Sequence, residues 1–110
     1  MSQEVYRVDY LPTASRQLIE IEDYIVDHDA PVEAYDFTAR IKQFCDALGL
    51  FPRKHLERDD IRKDLHLVGF EGSVMIGYHV DDVAHVVTVI GIFYGGQNWE
   101  PALRSIAAGF

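Results

Sequence analysis

Cysteine, basic residues and membrane-length apolar runs are all scarce in this chain, and each scarcity excludes a class of protein. Cys45 is the only cysteine among 110 residues, so no disulfide can form within the chain and nothing in it requires an oxidising compartment. The first residues lack the basic start and apolar core of a signal peptide, and no stretch approaches the ~18 consecutive apolar residues of a membrane-spanning helix. We therefore expect a cytoplasmic protein with no membrane partner.

Basic residues are outnumbered, at 10 Lys and Arg against 18 Asp and Glu, for a formal net charge of −8. Contacts to nucleic-acid phosphates need clustered Lys and Arg, so direct binding of nucleic acid is not expected. The segment 53–63 is the exception, because it holds five of the ten basic residues against three acids. We take four of its basic side chains as the candidate functional surface: Arg53, Lys54, Arg58 and Arg62.

Apolar residues are plentiful enough, at 48%, to fill one modest core, which predicts a single domain over residues 1–110. A weak alternation predicts a short strand from Val5 to Tyr10. Apolar residues then recur every three or four positions from Thr13, which could cap the first helix, and again from Pro31. This pattern predicts a helical hairpin that is interrupted just before Pro31 and stopped by a left-handed Gly49.

The second half of the chain shows strand patterns. After an irregular charged stretch from Pro52 to Lys63, strands are predicted near 64–68 and 74–80, and 84–93 is apolar on both faces, as in a central strand with neighbours on both sides. Gly95-Gly96 then forms a joint that leads into a short C-terminal helix beginning near Asn98. The predicted fold is α+β, an antiparallel sheet packed against the N-terminal helical hairpin in the order β-α-α-β-β-β with a short C-terminal helix.

The side chains that could carry chemistry do not form a recognisable catalytic or metal pattern. His66, His79 and His85 lie in predicted strands, and a three-residue loop at the Asp81 turn would place His79 opposite His85. No cysteine or carboxylate is spaced with them as in a zinc site, so we expect no metal and no cofactor. Cys45 lies beside a core position of the second helix, which is typical of a small buried side chain.

With this element order, the sequence resembles the ParE/RelE superfamily of toxins from bacterial type II toxin-antitoxin systems, and within it the ParE branch. The resemblance runs from Tyr6 to Trp99 and rests on the order of several segments: ASRQLIEIEDYIVDHDAPVEAYDF, LGLFPRK, Arg62, VMIGYHVDD and VIGIFYGGQNWE. It implies a plasmid-stabilisation toxin that poisons the cell when free and is neutralised by a cognate antitoxin. In the ParE branch the implied target is DNA gyrase, and in the RelE branch it is messenger RNA on the ribosome.

The two branches differ in the chemistry that they require. RNA cleavage needs cations near the scissile phosphate, together with an acid and a base. Met75 stands where RelE-type nucleases carry an arginine, and the last strand ends in Tyr94-Gly95-Gly96 without basic residues. We therefore expect a toxin that is not an enzyme, has no catalytic residues and binds gyrase through Arg53, Lys54, Arg58 and Arg62. The alternatives are a RelE-like ribosome-dependent mRNA endoribonuclease and a degenerate member that binds antitoxin without being toxic.

Charge also suggests where an antitoxin would bind. The first predicted helix carries acidic residues outside its apolar stripe, and an acidic helix face favours a partner with Lys or Arg. We take Glu20, Asp23 and Asp27 as candidate antitoxin-binding residues. An edge strand of the open sheet could also accept an added strand from a tail that folds as it binds.

Overall fold

The structure is a computed structural model that describes residues 5–28 and 31–110. The helices are α1 (Pro12–His28), α2 (Pro31–Asp46) and α3 (Trp99–Ala108), and a single 3₁₀ turn (Ala47–Gly49) follows α2. The strands are β1 (Arg7–Tyr10), β2 (Leu56–Glu57), β3 (Leu65–Phe70), β4 (Val74–Asp81) and β5 (Val86–Tyr94). The predicted interruption at Asp29 and Ala30 lies outside the described residues. In the part of the chain that is described, no helix is long and apolar enough to cross a membrane.

The five strands form one mixed sheet in the order β1-β5-β4-β3-β2. The pairs β2–β3, β3–β4 and β4–β5 are antiparallel, whereas β1 pairs with β5 in parallel, from Arg7 opposite Val86 to Tyr10 opposite Val89. The predicted α+β class, the N-terminal hairpin and the C-terminal helix are confirmed. The long connection between β1 and β5 permits the parallel pairing, since parallel neighbours cannot be joined by a tight turn. The short strand β2 was not predicted, because two residues carry no alternation to detect.

The central position of β5 explains its apolar character on both faces. β1 lies on one side of it and β4 on the other. A register shift between Gly77 and Tyr78 leaves Ile90 as an extra residue in β5, which is a β-bulge. As a result, Val89 and Ile92 face the helical hairpin, while Ile90 and Phe93 face α3.

Two cores cover the two faces of the sheet. The larger core lies under the helical hairpin, where buried residues of α1 and α2 such as Ile21, Ala34 and Ile41 meet Ile76, Tyr78 and Val87 of the sheet. The smaller core lies under α3, where Leu103 and Ala107 pack against Leu65, Leu67, Ile90 and Phe93. The predicted joint after Tyr94 is confirmed, because the chain turns there and carries α3 across the second face of the sheet.

Gly49 corrects one expectation about the hairpin. The sequence predicted a left-handed residue there, but positive φ among the described glycines is found at Gly72 and Gly95. Gly49 is required for a different reason: a Cβ at this position would lie 2.1 Å from the carbonyl oxygen of Tyr6. The Tyr6 N–H also donates to the Gly49 carbonyl at 2.9 Å, so the end of the hairpin and the approach to β1 are held in direct backbone contact.

Candidate functional site

The segment 50–57 contains the first two predicted basic residues and is anchored to the sheet by Tyr78. The Tyr78 hydroxyl donates to the Pro52 carbonyl at 2.8 Å, and burial raises the pKa of this phenol. The His55 ring lies between those of Phe44 and Tyr78, with centroids 6.1 and 6.4 Å away. These contacts hold the segment over the end of the hairpin core.

Arg53 is neutralised by carboxylates of its own chain. Its Nη2 and Nε donate to Asp82 at 2.7 and 3.0 Å, Nη2 also reaches Asp64 at 3.0 Å, and Nη1 reaches Glu57 at 3.3 Å. Asp82 accepts a further hydrogen bond from the Tyr6 hydroxyl at 2.7 Å. The bonds from Arg53 and Tyr6 hold the pKa of Asp82 below its ordinary value, so this carboxylate stays charged and keeps Arg53 paired.

Lys54 lies on an open surface beside two exposed apolar side chains. A groove of about 510 Å³ is lined by Tyr6, Leu50, Phe51, Pro52, Arg53, Lys54 and Asp82. Leu50 and Phe51 are 46% and 58% exposed. Among the ion pairs formed by the described residues, none includes Lys54. We name Leu50, Phe51 and Lys54 the Phe51 surface.

Arg58 and Arg62 are not part of that groove. Arg58 donates to Asp60 at 2.8 Å and to Glu100 of α3 at 2.7 Å, and Arg104 of α3 binds the same Asp60 at 3.0 Å. The hydrogen bonds from Arg58 and Arg104 hold the pKa of Asp60 far below its usual range. These pairs tie the 58–60 segment to α3.

Arg62 holds the end of α3. Its Nη1 donates to the Ala107 carbonyl at 3.1 Å, and its guanidinium lies 4.9 Å from the centroid of the Phe110 ring. The Ala107 carbonyl also accepts the Phe110 N–H at 3.2 Å, and a cationic side chain is a favourable further partner at the negative end of the helix dipole. Of the four predicted basic residues, the structure therefore brings Arg53 and Lys54 into one groove and places Arg58 and Arg62 at α3.

The predicted acidic residues of α1 are exposed, and Glu20 lines a second groove. This groove, of about 410 Å³, lies between α1 and the end of β5 and is lined by Gln17, Glu20, Ile21, Tyr24, Ile92, Tyr94, Gly95, Gly96 and Gln97. We name it the α1–β5 groove. Glu20 also lies 3.8 Å from Arg16, while Asp23 and Asp27 lie further along the helix. Gln17 and Gln97 were missed, because a lone glutamine in a helix or turn gives no sequence signal.

The structure corrects the predicted pairing of His79 with His85. His79 lies opposite Thr88, and His85 lies in the turn rather than in a strand, with φ of 58°. Asp81 pairs with Val86, so the turn holds four residues and not the three that we expected. The Asp81 carboxylate accepts the N–H groups of Val83 and Ala84 within this turn. Within the described ranges, no group of three His, Cys, Asp or Glu side chains is arranged to hold a metal ion.

Two of the side chains considered above, His66 and Cys45, lie in the interior of the protein. His66 is fully buried, stacks on Tyr78 with centroids 5.2 Å apart, and has Nδ1 3.1 Å from the Asp64 carbonyl. Cys45 is fully buried, as predicted, and burial raises the pKa of its thiol to about 12. A thiol with such a pKa remains protonated and a poor nucleophile at neutral pH.

The comparisons with known proteins agree with this architecture. The sequence model of the ParE toxin of type II toxin-antitoxin systems matches residues 8–99. No curated protein matches the chain by sequence. Among solved structures, the chromosomal ParDE toxin-antitoxin system of P. aeruginosa contains a chain with a TM-score of 0.70 and 14% identity, over 83% of this chain and 97% of that one.

Two structures from the RelE side are also similar. A mutant of the E. coli toxin RelE in the free state gives a TM-score of 0.65 and 16% identity, over 96% of each chain. The RelBE2 toxin-antitoxin complex of Mycobacterium tuberculosis gives 0.62 and 18%, over 87% of this chain and 98% of that one. At these identities the structural likeness establishes the fold alone, because one fold can carry different functions.

Proposed function

The chain belongs to the ParE toxin family of type II toxin-antitoxin systems, and on that premise we propose that it acts by binding DNA gyrase, without cleaving RNA. The observation that carries the proposal is that the arginines of segment 53–63 are already bound to other groups of the chain. Arg53 and Arg58 are bound to carboxylates, and Arg62 to a backbone carbonyl and an aromatic ring.

Phosphodiester cleavage would need cations that are free to approach a phosphate. The sheet face under α3 supports the same choice, since its buried side chains are apolar and Met75 packs among them. Inhibition by binding needs only a surface that fits another protein. A protein surface that combines exposed apolar side chains with a basic residue meets that requirement.

We propose that the Phe51 surface is the centre of the gyrase contact. Leu50 and Phe51 supply exposed apolar area. Lys54 supplies a positive charge that takes part in none of the ion pairs of the described residues. Arg53, Arg58 and Arg62 complete the proposed target-binding set. The hydrogen bonds of these three arginines also hold the 50–62 segment against the sheet and α3.

We also propose that the acidic face of α1 receives the antitoxin. Glu20, Asp23 and Asp27 are exposed on this helix, and the net charge of −8 favours a basic partner segment. Opposite charges across an interface mainly speed association and select the partner. The α1–β5 groove lies beside this face and offers apolar side chains that a neutralising segment could cover.

Expression of the toxin without its antitoxin tests the target. DNA breaks, SOS induction and plasmid supercoiling are measured beside the integrity of messenger RNA. We expect DNA breaks and altered supercoiling with intact messenger RNA. Rapid loss of messenger RNA with unaffected gyrase would replace this proposal with the RelE-like ribonuclease.

Paired lysine variants test the surface. Lys54→Glu places a negative charge in the groove that Leu50 and Phe51 also line, and we expect it to reduce gyrase inhibition at least tenfold. Lys63→Glu is the matched control, since Lys63 is an exposed lysine of the same segment that does not line the groove. Equal losses in both variants would show that the Phe51 surface is not the contact.

A further inference from the structure

One edge of the central strand is only half covered. β1 pairs with β5 from Val86 to Val89, and the Leu11 N–H closes this pairing on the Val89 carbonyl at 2.9 Å. The chain then turns into α1, whereas β5 continues to Tyr94. Over its last residues, β5 therefore pairs with β4 on one side and with no strand of the described residues on the other.

Two glutamine side chains accept the backbone N–H groups that a neighbouring strand would otherwise bind. The Ile92 N–H donates to Oε1 of Gln17 at 2.8 Å, and the Tyr94 N–H donates to Oε1 of Gln97 at 3.1 Å. The β-bulge at Ile90 explains why these amides point outward, because the extra residue shifts the alternation of β5 after Val89. The two amides are two residues apart, which is the spacing at which a strand edge offers its donors.

Hydrogen bonds that the backbone donates to side-chain oxygens can be exchanged more easily than those of a paired strand. A glutamine can rotate away when a backbone carbonyl replaces its oxygen, and the net hydrogen-bond count is then conserved. Unpaired edge strands are the usual templates for an added strand, and natural proteins cover them to prevent unwanted pairing. Gln17 and Gln97 cover the edge of β5 in this way, because their side chains accept its outward N–H groups.

The surroundings of this edge define the chemistry of an added segment. It would lie in the α1–β5 groove, where Ile21 and Ile92 offer apolar contacts and the Tyr24 and Tyr94 rings are 5.9 Å apart. Glu20 lines the same groove and Asp23 lies on the next turn of α1. A segment with alternating apolar and basic side chains would match this surface in both shape and charge.

We propose that the edge at Ile92 and Tyr94 accepts an extended segment of the antitoxin, in which apolar residues alternate with Lys or Arg. This segment continues the sheet past the end of β1 and displaces the oxygens of Gln17 and Gln97. The proposal rests on the proposed binding of the antitoxin to the α1 face and specifies how that binding is made. It does not depend on the identity of the toxin's target.

A synthetic peptide in which valine alternates with lysine is the probe. Isotope-labelled toxin is titrated with the peptide, and NMR follows the backbone amides of Ile92 and Tyr94 and the side-chain amides of Gln17 and Gln97. We expect saturable shifts centred on these four groups. The same peptide with N-methyl groups on alternate backbone nitrogens is the control, and we expect it to bind at least tenfold more weakly because it cannot complete the ladder.

Two substitutions distinguish strand addition from nonspecific attraction. Gln17→Ala leaves the Ile92 N–H without its intramolecular acceptor, so the peptide should bind several-fold more tightly. Gln43→Ala, at an exposed glutamine of α2, is the matched control and should change nothing. Glu20→Lys should weaken binding several-fold.

Shifts centred elsewhere, equal binding of the N-methylated peptide, or weaker binding to Gln17→Ala would overturn the proposal. The peptide test contains neither gyrase nor antitoxin, so its failure leaves the proposed function standing. Failure of the gyrase assay, in turn, leaves the strand edge unaffected.

Discussion

Leu103 of α3 packs onto two glycines that face each other across β4 and β5. Gly77 lies opposite Gly91, and a Cβ at Gly77 would be 2.8 Å from Cδ1 of Leu103. At Gly91 a Cβ would be 2.7 Å from the ring of Phe93. The paired glycines thus form a depression in the sheet that a leucine fills, and they set how closely α3 approaches.

Gly77→Ala should therefore destabilise the protein. Overpacking of a filled core typically costs about 1–3 kcal/mol, because neighbours must leave their preferred positions. Urea denaturation would measure the loss. Gly96→Ala is the matched control, since nothing lies within 4 Å of a Cβ there, and it should change the free energy of unfolding by less than about 0.5 kcal/mol. Equal effects of the two substitutions would contradict the packing account.

Tyr78→Phe tests the anchor of the 50–57 segment. The substitution removes the hydroxyl that donates to the Pro52 carbonyl at 2.8 Å and leaves the buried ring in place. We expect a loss of about 1 kcal/mol, the usual net value of one hydrogen bond. Hydrogen exchange of residues 50–57 should also become faster. Tyr35→Phe, at an exposed tyrosine, should alter neither quantity, and unchanged exchange in Tyr78→Phe would remove the anchoring role.

The C-terminal helix depends on polar contacts with the loop that precedes β3. Arg58 reaches Glu100 near the start of α3, Arg104 reaches Asp60, and Arg62 binds the Ala107 carbonyl at its end. The bonds of Arg58 and Arg104 to Asp60 are solvent-exposed pairs, which contribute little individually, and the Arg58–Glu100 bond is partly buried. Arg62 differs because its bond to a carbonyl near the helix C-terminus is partly buried and its guanidinium packs on the Phe110 ring.

Arg62→Ala should loosen the last turn of α3. Amide hydrogens of residues 104–110 should exchange faster, while those of α1 and α2 should keep their rates. Lys63→Ala changes an exposed neighbour and serves as the control. Faster exchange throughout the molecule would indicate global destabilisation and would contradict a local role for Arg62.

The whole molecule should lose stability as the solution is acidified. Burial lowers the pKa of His55 and of His79 below the ordinary 6.5, and the nearby Lys54 and Arg62, respectively, lower it further. As pH falls through this value, the unfolded chain binds protons that the folded chain does not bind, so the free energy of unfolding decreases. The hydrogen bonds of Arg53 to Asp82 and of Arg40 to Glu71 lower the pKa of these carboxyls. Their contribution is present above about pH 4 and is lost on further acidification.

Urea denaturation between pH 7 and pH 5 would measure the histidine effect. We expect the midpoint to fall over this range. In the double variant His55→Gln and His79→Gln, the urea midpoint should fall less between pH 7 and pH 5, even if the variant is less stable at every pH. An equal fall of the midpoint in the double variant would show that these two histidines do not account for the loss of stability.

The contacts between distant segments explain why the predicted functional residues were only partly grouped by sequence. The segment 53–63 is continuous, so its charges looked like one patch. In the structure, Arg53 turns toward Asp82, whereas Arg58 and Arg62 turn toward α3. The partners Asp82, Glu100 and Ala107 are 29 to 45 residues away in the chain, and no local pattern identifies partners at such distances.

The sequence by itself determined the helices, the main strands, the joint after Tyr94 and the α+β class, because hydrophobic periodicity and turn residues act within a few positions. Only the tertiary structure decided that β1 pairs with β5 in parallel, that a two-residue β2 forms, and that the backbones of Gly49 and Tyr6 lie in contact. It also decided that β1 ends at Tyr10 while β5 runs on to Tyr94, which leaves the edge covered by Gln17 and Gln97. These features depend on which distant segments meet, and that is set by the packing of the whole chain.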